Sequence, residues 1–119
     1  MPGFMSFVLD CADPEALAPF WMEALGYVRL EEGEPIALIK GEGGVEGPVI
    51  LLQRVPEPKV GKNRMHLDIH TPDLDGEVDR LIALGATRLE GEQGDRGWCW
   101  IVMADPEGNE FCVCRPPPA

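Results

Sequence analysis

The apolar positions of this chain follow one pattern twice. Residues 7–27, FVLDCADPEALAPFWMEALGY, open as a short apolar strand, turn at Asp13-Pro14 and continue with helical spacing to Leu-Gly. Residues 67–87, LDIHTPDLDGEVDRLIALGAT, repeat that order. In the first copy Asp13 is the expected N-cap and Pro14 the first helical residue, where a missing N–H costs nothing. Leu17, Phe20, Trp21, Ala24 and Leu25 then form one apolar stripe at i, i+3, i+4, i+7 and i+8. Pro19 falls inside that stripe and is expected to bend the helix or open its first turns. The second helix is predicted from Asp73, with Leu74, Val78, Leu81 and Ile82 turned to its sheet. Gly26 and Gly85 stand where a left-handed C-terminal cap is expected.

Three strand-like runs follow each helix: Tyr27–Leu30, Pro35–Ile39 and Pro48–Gln53, then Thr87–Glu90, Trp98–Met103 and Glu110–Cys114. GEGGVEG, residues 41–47, reads as a mobile hairpin, and Asp105-Pro106-Glu107-Gly108 as a turn. PEPKVGKN, residues 56–63, reads as a linker, and residues 116–119 as an extended, frayed tail. The expected fold is therefore α+β, a single domain of two tandem βαβββ modules (residues 1–55 and 64–115) forming a paired half-barrel. A helix covers one face of each module's sheet, and two modules side by side would close the open faces into a cavity for a ligand.

Length and charge narrow the function. At 119 residues the chain can hold a real core. Its net charge of −11 opposes a polyanion or an anionic membrane, so neither nucleic acid nor membrane is an expected partner. Lys59, Lys62 and Arg64 gather near the linker and read as a solvated loop, with an anion site as the alternative. The N-terminus lacks a basic segment ahead of an apolar one, which argues for a cytoplasmic protein without a signal peptide. Cys11, Cys99, Cys112 and Cys114 match no common zinc spacing and are expected as reduced thiols.

NRMHLDIHTPD, ALGA and ADPEGNEFCV in the second half, with LDCADPEALAPFW and ALGY in the first, resemble the glyoxalase/bleomycin-resistance (vicinal oxygen chelate) superfamily. The resemblance covers almost the whole chain. It implies the glyoxalase/bleomycin-resistance/dioxygenase fold, and a homodimer by family habit. It also implies either metal-dependent isomerase, lyase or dioxygenase chemistry or metal-free drug binding. Metal-binding members carry ligands at four cavity positions, on the first and last strands of each module. By that alignment the positions here are Ser6, Leu51 or Gln53, His66 and Cys112, and His66 alone is a good ligand. A divalent metal is the one cofactor implied, and its usual ligand set is incomplete.

Strand parity picks out the remaining candidates. Met65, Leu67 and Ile69 are expected against the second helix, which turns His66, Asp68 and His70 to the cavity. Phe7 and Leu9 likewise turn Ser6, Val8 and Asp10 to it, and Phe111 and Val113 turn Glu110, Cys112 and Cys114. His66, Asp68 and Glu110 are the catalytic candidates, able to move a proton beside a carbonyl; the alternative is that the carboxylates only hold the cavity's shape. Trp98 and Trp100 share a face and would form a wall for a planar or cationic ligand, or else pack at an interface. Gln53, Ser6 and Cys112 complete the ligand-binding set. Three functions stay open: a lyase or isomerase of glyoxalase-like type on a small molecule, a binding protein without turnover, and, less favoured, a structural or regulatory dimer whose cavity is vestigial.

Overall fold

A computed structural model describes residues 6–41 and 47–118. The proposed hairpin at 41–47 therefore lies largely outside the described residues. The chain divides into two compact units, Met1–Lys59 and Val60–Ala119. The fold is α+β, with two sheets and two helices among the described residues.

In the first unit, β1 (Ser6–Cys11) leads into α1 (Pro14–Leu25), then β2 (Tyr27–Arg29), β3 (Ile36–Lys40) and β4 (Val49–Arg54). The sheet order is β1-β4-β3-β2, with β1 parallel to β4 and the other pairs antiparallel. Asp13 caps α1 by accepting the Ala16 N–H, and Gly26 ends it at φ 67°. The Lys40 ammonium donates to the Leu25 carbonyl, placing a cation at the negative end of the helix. Leu17, Phe20, Trp21 and Ala24 are buried as their spacing predicts. α1 runs through Pro19, contrary to the expected opening of its first turns. Pro19 is exposed, so the Glu15 carbonyl it leaves unbonded lies on the solvent side of the helix.

In the second unit, β5 (Asp68–His70) precedes α2 (Leu74–Leu84), β6 (Thr87–Arg88), β7 (Gln93–Asp95), β8 (Trp98–Ala104) and β9 (Glu110–Arg115). The order is β5-β9-β8-β6, and β7 pairs with β8 beyond β6. The single run expected at Thr87–Glu90 is thus one edge in two pieces, joined by the Leu89 N–H donating to Val102. Asp73 caps α2 through the Gly76 N–H, and Gly85 closes it at φ 120°. Leu74, Val78 and Leu81 are buried, and so are Ile101, Met103, Phe111 and Val113 on the sheet. Ile82, expected on that face, is 45% exposed. Met65 is 77% exposed, because β5 begins only at Asp68 and the parity argument does not reach back to it. No helix among the described residues is long and apolar enough to cross a membrane.

The turn from β8 to β9 is held by a buried carboxylate. Asp105, 2% exposed, accepts the N–H groups of Glu107 and Asn109 and the side-chain amide of Asn109. Gly108 follows at φ 89°, and its N–H donates to the Asp105 carbonyl. Asp105→Ala would strand these donors without water. It is expected to destabilise the protein by about 2–4 kcal/mol in urea denaturation, whereas a loss below about 1 kcal/mol would show that the turn does not need the carboxylate.

Candidate functional site

α2 buries one face of the second sheet and leaves the other free. On β9, Phe111 and Val113 point to the helix, so Cys112 and Cys114 fall on the free face. Register then fixes their neighbours. Asp68 pairs with Cys112 and Val102 with Cys112, while His70 and Trp100 both pair with Cys114. Two cross-strand rows result, Asp68–Cys112–Val102 and His70–Cys114–Trp100. Val102, Cys112 and Cys114 form a small apolar cluster with Trp100 packed on it.

These rows floor a groove of about 490 Å³ lined by His66, Asp68, His70, Trp98, Trp100, Cys112 and Cys114, together with Asp95 and Arg96. His70 meets the Trp98 indole edge to face, with ring centres 5.7 Å apart. His66 Nε2 lies 3.5 Å from the Asp68 carboxylate, and both side chains are partly open to solvent. The structure thus brings together two of the three catalytic candidates, both tryptophans and Cys112. Glu110 does not line the groove; its carboxylate accepts the Asn63 N–H at 3.0 Å. Ser6 and Gln53 lie on β1 and β4 of the first unit, both exposed and outside this groove.

Three groove residues carry more than their sequence signals indicated. His70, at the end of its strand, becomes part of the aromatic wall. Asp95 and Arg96 enter from the β7–β8 turn; the signal was Arg96-Gly97, a two-residue hairpin ahead of the Trp98 strand. None of the four cysteines forms a disulfide. Cys99 faces away from the tryptophans' side and accepts a contact from the Arg115 guanidinium at 3.0 Å.

The fit to a metal can be judged from the donors. One ligand atom each from His66, Asp68 and Cys112 lies within 4.8 Å of the other two. An imidazole, a carboxylate and a thiol are a chemically adequate set for a borderline-soft divalent ion with one position left open. Asp68 was not among the four positions located by resemblance, and with it the second unit alone supplies three donors. The residues therefore fit a metal better than the family's four positions indicated.

The profile of the family described as Glyoxalase-like domain matches residues 6–114. The chain belongs to that family. Several solved structures share the fold of this glyoxalase-like chain. A glyoxalase/bleomycin resistance protein/dioxygenase family enzyme from Burkholderia phytofirmans PsJN is 21% identical, with a TM-score of 0.74 over 95% of this chain and 98% of that one. A glyoxalase/bleomycin resistance protein/dioxygenase from Nocardioides is 16% identical, with a TM-score of 0.73 over 98% of this chain and 85% of that one. TioX from Micromonospora sp. ML1 is 19% identical, with a TM-score of 0.61 over 96% and 98%. No curated protein matches the chain. At these identities the likeness speaks for the fold alone.

Burial raises both groove thiols of this glyoxalase-like chain, with the Asp68 charge adding to it; Cys114 is pushed up to about 11. Both are therefore neutral thiols near pH 7. Because the folded Cys114 holds its proton longer than an unfolded thiol, its contribution to stability is complete below 9.0 and is lost as pH rises towards about 11. In metal-free protein, the urea midpoint should fall over that window more in the wild type than in Cys114→Ala. Asp68→Asn should lower the pH at which iodoacetamide alkylates Cys114. An alkylation profile centred at an unperturbed thiol value would contradict the assignment.

Proposed function

We propose that the second unit holds a small planar organic molecule against Trp98, Trp100 and His70, and that His66 with Asp68 exchanges a proton with it. The reading is carried by one observation: the indoles and the imidazole–carboxylate pair share the free face of one sheet, around one groove. An aromatic wall binds flat molecules by area and ring geometry. A carboxylate 3.5 Å from an imidazole orients it, which suits His66 to take a proton beside a carbonyl and return it. That is lyase or isomerase chemistry of the glyoxalase-like type. Glu110, occupied by the Asn63 N–H, is left out of it. Retention of the molecule without turnover is the competing outcome.

Tryptophan fluorescence, titrated with planar aromatic acids, amides and aldehydes, tests the binding half. Trp21 is buried in the first unit and serves as a constant background. A saturable change is expected, weakened about tenfold in Trp98→Ala or Trp100→Ala. No response to any compound would remove the reading. With an aryl ligand that carries a C–H beside its carbonyl, such as an arylacetaldehyde, His66→Ala should keep binding and lose exchange of that hydrogen for solvent deuterium beyond the free compound's rate; if wild type shows no such exchange, the protein is a binder only.

A second reading rests on the convergence of His66, Asp68 and Cys112. These three would hold a divalent ion such as zinc, which supplies a Lewis acid to polarise a carbonyl. Loading would displace the Cys112 proton, making affinity rise with pH. Added Co²⁺ should then give a thiolate charge-transfer band that Cys112→Ser abolishes and Cys114→Ser leaves intact. Absence of the band in the wild type at millimolar Co²⁺ would leave the proton-transfer reading alone.

A further inference from the structure

Arg96 holds an unusual position in this molecule. It is the one non-glycine residue at positive φ among the described residues, at 54°. It forms with Gly97, φ 85°, the two-residue turn closed by the Asp95–Trp98 pair. Such a turn needs positive φ at both central positions and favours Asn or Gly at the first. An arginine there gains nothing from the backbone and is held in a conformation that L side chains with a long stem disfavour. The turn is also braced from outside. A Cβ placed on Gly97 would come within 2.9 Å of Pro117, so the proline tail lies directly against the turn.

The side chain has no compensating structural role. Arg29, Arg54, Arg80, Arg88 and Arg115 each donate to a carboxylate, carbonyl or thiol of their own unit. Arg96 has no hydrogen bond or ion pair among the described residues, in a chain with 21 acidic residues and with Asp95 beside it in sequence. Yet it lines the groove with Trp98 and Trp100. A strained backbone carrying an unpaired guanidinium into a groove is better explained by a ligand than by the fold.

We propose that Arg96 is the anion-recognising residue of the groove, and that the ligand bears a single carboxylate at one end of its planar body. This rests on the aromatic-wall reading above and adds the ligand's charge class. The planar guanidinium fork matches a carboxylate with two parallel N–H donors. Asp68 and Asp95 also line the groove, so a monoanion is admitted at less electrostatic cost than a dianionic phosphate ester. The ring body would lie on the indoles while the carboxylate reaches the turn.

Calorimetric titration of the full chain with 2-naphthoate, its neutral isostere 2-naphthamide and 2-naphthyl phosphate tests this. The wild type should prefer the carboxylate to the amide by on the order of tenfold, and to the phosphate as well. Arg96→Asn should lose that preference while its affinity for the amide stays within about twofold. Because asparagine suits the left-handed position, the same variant should unfold at higher urea than the wild type. Retained carboxylate preference in Arg96→Asn, or a lowered urea midpoint showing that Arg96 serves the fold, would overturn the proposal. Preference for phosphate would overturn the monoanion assignment. If the wild type binds the amide as well as the carboxylate, the Arg96 proposal fails and the aromatic wall stands; if none of the three binds, the wall reading fails and takes this one with it.

Discussion

Everything in the candidate site depends on which face of the second sheet α2 covers. Ile101, Met103, Phe111 and Val113 are fully or almost fully buried, and each fixes the phase of its strand. Side chains alternate with period two, so a slip of one residue on β9 would turn the two cysteines into the core and expose Phe111 and Val113. The cost of exposing those apolar groups is what holds Cys112 and Cys114 on the groove side. Parallel pairing of β5 to β9 then carries Asp68 and His70 onto the same face, and antiparallel pairing of β8 carries Trp100. The chemistry of the groove is thus a by-product of hydrophobic packing on the opposite face.

That arrangement sets an electrostatic competition. Asp68 stands in one row with Cys112 and beside His66, so the same carboxylate can orient an imidazole, oppose a thiolate or join both around a cation. Without a metal, burial and the Asp68 charge keep the thiols protonated, and the imidazole–carboxylate pair is the element to which the proposed proton transfer is assigned. A divalent ion held by His66, Asp68 and Cys112 would favour the thiolate of Cys112 instead. The two proposed readings of function draw on one cluster rather than on two sites.

Much of this was legible in the sequence because it rests on local rules. The caps at Asp13 and Asp73, the glycines at 26 and 85, the buried helix stripes and the free-face cysteines all follow from spacing and parity. Parity failed where its premise failed. Met65 lies before β5 begins, and Ile82 sits at the margin of the α2 stripe, where helical spacing does not say how wide the covering sheet is. The parallel register that sets Asp68 against Cys112 joins residues far apart in sequence, so the third donor could not be found by matching family positions one at a time. Nothing in the sequence marks Asp95 and Arg96 as site residues, because the β7 edge is short and polar, with no apolar alternation to identify it as a strand.

The central claim is that the free face of the second sheet, rather than the helix face or the first unit's sheet, is where a ligand is held. Amide ¹H–¹⁵N shifts of the isotopically labelled chain, followed during titration with 2-naphthoate, test it most directly. The account predicts shifts concentrated at Asp68–His70, Asp95–Trp100 and Cys112–Cys114, with α2 little changed. Shifts concentrated on α1, α2 or β2–β3, with the groove residues silent, would contradict it.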